Sequence, residues 1–448
     1  MSDTTVTASA GPVAGGTTRW RAVWAVGRFE LAKLLAQWPT RILPLVCLVA
    51  PLAFAAVLRI QAGVPADTLF GAWVHTSGFA VSLVVLSFAG AWGFPVIAGI
   101  VGGDMFSSED RLGTWKALLT RSCTREEIFL GKIATAFAYT AAMVLLLAAG
   151  STLAGVVASG AHPLVGLTGQ TLGSGHAAAL TLASWGISLL PALGFTALAL
   201  LLSAVTRSGA AGMLGPLVVA LGMQLLGLLG SGDIVRALLL STALDAWHGM
   251  FAAPAYARPL GWAALISFCY VVASLELAWL NWRRRDVAGA GAEERGWGRQ
   301  LRALVIVVAL IAVLAVVGNL GPASITDTKL NDAIGSTFGN LTALQQTDLG
   351  RVVPAGTHLD DYAVCSRQGG KPVYSGPGDN WLCIIYIPKL TKLGEFTEVH
   401  YDVAVKPNGC YTAEGPESFI GPLTIHRPNG PPVLNPLFRF DGCFEVAP

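Results

Sequence analysis

The side chains able to do chemistry in this chain are few and unevenly placed. Seven cysteines and seven histidines occur in 448 residues. The histidines (His75, His162, His176, His248, His358, His400 and His426) are scattered without metal-ligand spacing and read as loop or interface residues. Cys47, Cys123 and Cys269 sit in or beside apolar runs and read as packing residues. Cys365, Cys383, Cys410 and Cys443 all fall in the C-terminal tail. Four cysteines in an extracytoplasmic domain suggest two disulfides with three connectivities, of which Cys365–Cys383 with Cys410–Cys443 is favoured. A zinc site is the weaker reading, because no CxxC or Cys/His cluster appears. Nor is there a GxxxxGK[ST], HExxH or GxSxG string; the nearest, FLGK at 129–132, lacks the phosphate loop and its hydroxyl. The chain is therefore expected not to be an enzyme and to hold no cofactor or metal of its own. Two polar residues interrupt apolar runs, Gln224 and Glu276, and intramembrane polar groups are functional candidates by default. Glu276 lies only ~10 Å along a helix from Arg283, which favours a simple pairing at the interface.

The elements that position these residues are apolar. The chain is 53% hydrophobic and 12% charged, with a mean hydropathy of +0.59, whereas soluble domains run near ~25% charged. Lipid must be the solvent for much of it. A bilayer-crossing helix needs about 20 mostly apolar residues. Seven candidates satisfy this: 42–58, 79–102, 133–157, 179–205, 210–229, 260–280 and 303–320. None alternates at period two, so helices rather than barrel strands are expected. Residues 1–18 are small and polar and read as a disordered tail rather than a cleaved signal.

Positive charges orient the spans. With the N-terminus cytoplasmic, 17 Lys/Arg fall in inside segments and 3 (Arg59, Arg236 and Arg258) in the outside loops of the first six spans. Seven spans then place the tail outside, where disulfides persist. The expected organisation is 1–18 tail, 19–286 interfacial helix and six-span core, 287–302 cytoplasmic linker, 303–320 seventh span, and 321–448 outer domain.

Three segments between the runs carry further pattern. Residues 19–39 read as an amphipathic interfacial helix, with Trp20, Val23, Trp24, Leu31, Leu34 and Leu35 on one face and Arg28, Glu30 and Lys33 on the other. Pro39 then separates this helix from the first span. In the loop after the second span, Ser108 or Asp110 is placed to cap a short helix carrying Leu112, Trp115, Leu118 and Leu119. Thr124 and Glu127 form a capping box for the next helix. Apolar residues on such a loop call for a docking partner. The stretch 231–259 is too broken to cross yet too apolar for water, and reads as a re-entrant helical pair. In the tail, Leu330, Ile334, Phe338 and Leu341 have helical spacing, and short β-prone runs such as CIIYI and VHYDVAV follow, separated by Pro/Gly turns. A β-rich domain on a helical stalk is expected.

The first 286 residues resemble the permeases of type-2 ABC exporters. The resemblance rests on the amphipathic helix, six spans and the loop SSEDRLGTWKALLTRSCTREEIFLGK, with LLSAVTRS at 201–208 and RRRD at 283–286. It implies a coupling loop built from Glu109, Gly113, Thr114, Trp115, Leu118, Leu119 and Arg121, with Gly131 and Lys132 following. It also implies a dimer, with itself or a related permease, docked on a separate ATPase subunit that binds the ATP and magnesium. The cargo would be a hydrophobic or amphiphilic compound, with the stretch 231–259 as outer gate. The fold class is thus an α-helical polytopic membrane protein with a small disulfide-stapled outer domain. Heavy Ala, Gly, Leu and Val usage points to a bacterial plasma membrane, and nothing points to nucleic acid. The competing class is a membrane-anchored sensor or scaffold whose outer domain binds a ligand or partner; a lipid-modifying enzyme lacks its catalytic constellation.

Overall fold

The computed structural model describes residues 17–60, 68–115, 124–228, 232–284, 325–352, 362–368, 374–388, 396–428 and 432–446. Six helices among them are long and apolar enough to cross a membrane: Trp38–Ile60, Gly78–Leu112, Arg125–Ser159, Ser174–Thr206, Gly209–Gly227 and Arg258–Arg283. They mark the chain as a membrane protein and match the first six expected spans. The seventh candidate, the tail at 1–18 (save its last two residues) and the linker lie outside the described residues.

Helix α1 (Thr17–Ala36) is followed by α2 (Trp38–Ile60), the first span. The break falls at Gln37, so Pro39 sits in the first turn of α2, where its missing N–H costs nothing. The second span is three pieces: α3 (Gly78–Phe88), a π turn at Ala89–Gly93, and α4 (Phe94–Gly102). After it, α5 (Ser107–Leu112) ends at Gly113, whose φ of +66° is left-handed. Spans three to six are α6 (Arg125–Ser159), α7 (Ser174–Thr206), α8 (Gly209–Leu228) and α11 (Arg258–Arg283). The capping box at Thr124 and Glu127 opens α6 as its sequence requires. Spans two and five cross at backbone contact, because a Cβ on Gly212 would collide with the carbonyl of Gly103.

Alternation of the spans gives the bundle two ends. One carries α1, α5, Arg207 and Arg284. The other carries a turn at Gly71–Trp73, a small hairpin of β1 (Leu164–Val165) and β2 (Thr171–Leu172), and the broken helices α9 (Gly232–Leu238) and α10 (Leu240–Ala243). A further short turn, Ala246–Phe251, completes that end.

The C-terminal domain docks on this second end. Its sheet is antiparallel in the order β3-β4-β5-β6-β9: Tyr362–Arg367, Gly378–Pro388, Phe396–Val405, Cys410–Glu414 and Arg439–Cys443. Along β5, buried Val399, Tyr401, Val403 and Val405 alternate with residues facing outward, the period of a half-covered strand. The cover is α12 (Asp327–Asp348), which buries Leu330, Ile334, Phe338 and Leu341. The helical spacing is as expected, but the helix is not a stalk. It is the second layer of the domain: Tyr411 donates to Thr337 Oγ1 at 3.0 Å and Phe338 packs edge-on against Tyr401. Cys365 pairs with Cys383 and Cys410 with Cys443, the favoured connectivity; each pair occupies directly opposed positions of neighbouring strands. A short α13 (Glu417–Ile420) and a hairpin of β7 (Thr424–Ile425) and β8 (Val433–Leu434) complete the domain.

Candidate functional site

At the first end a buried ionic cluster ties three elements together. Lys132, on α6, is 0% exposed. Its ammonium donates to Glu30 Oε1 at 2.6 Å, to the Met105 carbonyl at 2.8 Å and to Glu109 Oε1 at 3.4 Å. Lys33 reaches the same Glu109 oxygen at 2.5 Å and Ser108 Oγ at 2.8 Å. Two cations thus face two carboxylates, and Thr114 adds a hydroxyl to Glu109. An isolated charge in such a place would cost several kcal/mol, so the cluster exists only because it is neutral and hydrogen-bonded.

Aromatic rings roof this cluster. The Lys132 ammonium lies 5.7 Å from the Phe106 ring and 5.6 Å from that of Trp115. Trp115 packs tilted against Trp282 of the sixth span, ring centres 4.3 Å apart, and donates its indole N–H to Asp110 at 2.9 Å. The sixth span is held at the same point, since Arg125 donates to the Arg283 carbonyl at 3.0 Å. The start of α5 is capped from another helix: the amides of Phe106 and Ser107 both donate to Ser203 Oγ of the fourth span at 3.1 Å.

These positions correct several expectations. Glu30 does not share the polar face of α1 with Arg28; it is 1% exposed and turned inward with Val23 and Leu34. The helix fits there because Gly131 leaves no side chain at the crossing with Val26. What α1 shows outward is an apolar strip, with Trp20 at 71% and Trp24 at 70% exposed. Trp115 is not held out for a partner but spent inside the chain, and Leu112, at 64% exposure, is the apolar residue presented. Ser108 and Asp110 do not cap α5, which begins at Ser107 and ends before Trp115. Leu118, Leu119 and Arg121 lie outside the described residues. The pattern hid the roles of Phe106, Ser203 and Trp282, whose partners are remote in sequence.

The two intramembrane polar candidates part company. Gln224 donates to the carbonyl of Ala91, inside the π turn, at 2.7 Å. Glu276 is exposed on the sixth span and makes no ion pair with another described residue.

At the other end the C-terminal domain is fastened by single polar contacts. The Asp441 carboxylate accepts from the Phe70 amide at 2.6 Å, and Asn408 donates to Asp245 at 3.0 Å. Asn340 donates to the Thr168 carbonyl at 2.7 Å. Burial pushes the Asp441 carboxyl up to about 6, against the hydrogen bonds that oppose it. Burial likewise raises Asp245 and drops His248 to about 3, keeping the imidazole neutral.

A family model described as "Protein of unknown function (DUF2705)" matches residues 66–288. The chain is similar to that family over spans two to six, which leaves α1, the first span and the C-terminal domain outside the match. No curated protein matches the chain.

Proposed function

We propose that this chain is the membrane-spanning permease subunit of an ATP-driven exporter of the type-2 ABC class. A separate ATPase subunit binds the ATP and magnesium, a second permease completes the pathway, and the cargo is hydrophobic or amphiphilic. The end bearing α1 faces the cytoplasm and the disulfide-bonded domain faces outward. The observation that carries this reading is the neutral cluster of Lys132, Glu30, Glu109 and Lys33. It joins the interfacial helix, the loop after the second span and the start of the third into one block. Force applied to the loop by a closing ATPase then reaches α1 and the spans together, a coupling between distinct sites.

The test is purification of the tagged chain in mild detergent, followed by an ATPase assay on whatever accompanies it. An ATP-hydrolysing subunit is expected with the native chain and is expected to be lost with Leu112→Asp, which leaves the buried cluster intact. A chain that purifies alone overturns the exporter reading and moves the sensor reading ahead.

A further inference from the structure

The two disulfides lie on opposite faces of one sheet. Cys383 is in register with Tyr401, whose ring meets Phe338 of α12, so Cys365–Cys383 sits on the face that the helix covers. Cys443 stands two residues beyond Asp441, whose carboxylate reaches the Phe70 amide, so Cys410–Cys443 sits on the face that meets the bundle. The bundle touches both of its cysteines. The Cys443 amide donates to the Leu167 carbonyl at 3.3 Å, and Cys410 Sγ lies 3.8 Å from His248 Nδ1. A disulfide sulfur carries no hydrogen, so in that second contact the imidazole is the donor. The other ring nitrogen agrees. His248 Nε2 is buried with no partner among the described residues, and a proton placed there would be stranded.

The contacts that seat the domain flank this disulfide. Asn408, which donates to Asp245, stands two residues before Cys410, and Asp441 stands two residues before Cys443. The bond therefore ties together the turn and the strand that carry them. Asn340, which donates to Thr168, belongs to α12 and is not tied by it. Cys443 also lines an open groove of about 640 Å³, walled by Thr168 and Tyr256 of the bundle and by Lys329, Ser336 and Glu445 of the domain. A reagent in water thus approaches from the Cys443 side, while His248 stands on the Cys410 side. Thiol–disulfide exchange needs this arrangement, one sulfur within reach of attack and the other stabilised as it leaves.

We propose that Cys410–Cys443 is a thiol-exchange site for a dithiol reductant, and that its reduction unseats this edge of the domain from the bundle. One thiolate of the dithiol attacks Cys443 Sγ. The S–S bond breaks and its electron pair leaves on Cys410 Sγ, which accepts the His248 Nδ1–H hydrogen bond. The second thiolate then closes on the first sulfur of the dithiol, and Cys443 leaves in turn. The chain gains two electrons, the dithiol becomes a disulfide, and its two protons end on Cys410 and Cys443. The turn at Asn408 and the strand at Asp441 are then no longer covalently joined, while Asn340 keeps α12 in place. This goes beyond the exporter reading and does not need it, because the chemistry belongs to this chain alone.

The experiment is reduction of the purified full chain in nanodiscs by dithiothreitol, with free thiols first blocked by N-ethylmaleimide. Samples are quenched with iodoacetamide, and cysteine labelling and amide hydrogen exchange are read by mass spectrometry. Cys410 and Cys443 are expected to be labelled at least tenfold faster than Cys365 and Cys383. Amide exchange over 68–74, which contains the Phe70 donor, is expected to rise at least tenfold in step with that labelling. His248→Phe removes the donor to the leaving sulfur. It is expected to slow reduction of Cys410–Cys443 at least threefold and to leave Cys365–Cys383 unaffected. Replacing Cys410 and Cys443 together by Ser is expected to give the raised exchange over 68–74 with no reductant present. Should His248→Phe fail to fold, the native comparison of the two disulfides and the exchange over 68–74 decide. Equal rates for the two disulfides, faster labelling of Cys365 and Cys383, or exchange over 68–74 that ignores reduction overturns the proposal. Unchanged or faster reduction in a folded His248→Phe removes the leaving sulfur's donor and overturns it as well.

Discussion

Both ends of this bundle bury carboxylates, and they stabilise them in opposite ways. Glu30 and Glu109 face Lys132 and Lys33 at 2.5–3.9 Å, so the cluster is neutral within itself. Asp441 faces a peptide amide, and Asp245 an amide side chain, with cations contributing only at a distance. Compensated charge holds elements together across the whole range in which lysine and glutamate stay ionised. A buried carboxylate with only neutral donors is held up in its pKa by desolvation, although the hydrogen bonds themselves favour the ionised form. Its burial therefore costs stability where it must ionise. One end of the molecule is built as a permanent joint and the other as a contact that protons adjust.

The largest expected effect breaks the joint. Lys132→Ala leaves Glu30 and Glu109 buried with only Lys33 between them, and the loss of one partner of a buried pair costs about 3–5 kcal/mol. Thermal unfolding in detergent is expected to report a drop of that order. The paired change Lys132→Met with Glu30→Gln removes one charge of each sign and keeps Lys33 on Glu109, so it is expected to recover most of the loss. If Lys132→Ala unfolds with native stability, the cluster is not the joint described.

The next effect falls on the opposite end alone. Cys410 and Cys443 are separated by 33 residues, and releasing a loop of that size costs about 3–4 kcal/mol in the chain-entropy account. Replacing both by Ser is expected to make the C-terminal domain sensitive to limited proteolysis while the span bundle stays protected. Simultaneous loss of both regions would show that the two ends are not independent.

Asp441 sharpens the same contrast through pH. Its folded pKa of about 6 lies above the ordinary 3.8, so between these values the folded chain binds more protons than the unfolded one. Stability therefore falls as pH rises through that window; the favourable share is complete below about pH 4 and gone above about pH 6. At 1.36 kcal/mol per unit the swing is at most about 3 kcal/mol. Melting midpoints between pH 4 and 7 are expected to fall for the native chain and to stay flatter in Asp441→Asn. A native midpoint that rises with pH would contradict the neutral-donor reading of this contact.

What the sequence made legible follows the same division. The six spans announce themselves because lipid demands long apolar runs, and nothing else in a chain looks like them. The helix at 327–348 and the alternating β5 were readable because burial repeats with the period of the element. That the tail forms two disulfides was readable because its four cysteines stand apart from the others. Of the three connectivities then open, the structure has the favoured one, set by strand register. Glu30 was misplaced because periodicity assigns charge to the solvent face, and only Lys132, 102 residues away, reverses that. Trp115 was read outward for the same reason: its partner Trp282 lies at the far end of the sixth span. The π turn leaves no local signal at all, since it shows only through the carbonyl that Gln224 takes up.

The smallest effect tests how finely the joint is positioned. Gly113 is left-handed at φ +66°, and among the described residues beyond its chain neighbours no atom lies within 4 Å of where a Cβ would stand. Gly113→Ala therefore meets no steric clash and carries only the backbone cost of that conformation, about 1–2 kcal/mol. The strain has one place to go. The Gly113 amide closes α5 on Asp110, and the next amide, that of Thr114, donates to the Glu109 carbonyl at 3.2 Å. Relaxing the turn moves the Thr114 hydroxyl off the Glu109 carboxylate, which still keeps Lys33 and Lys132. Gly113→Ala is expected to lower the melting midpoint by a few degrees. Gly113→Asn, which tolerates the left-handed region, is expected to recover part of that shift. Equal losses in Ala and Asn would place the cost in the loop's surroundings rather than in its backbone, and Gly113 would then not be what sets Thr114 against Glu109.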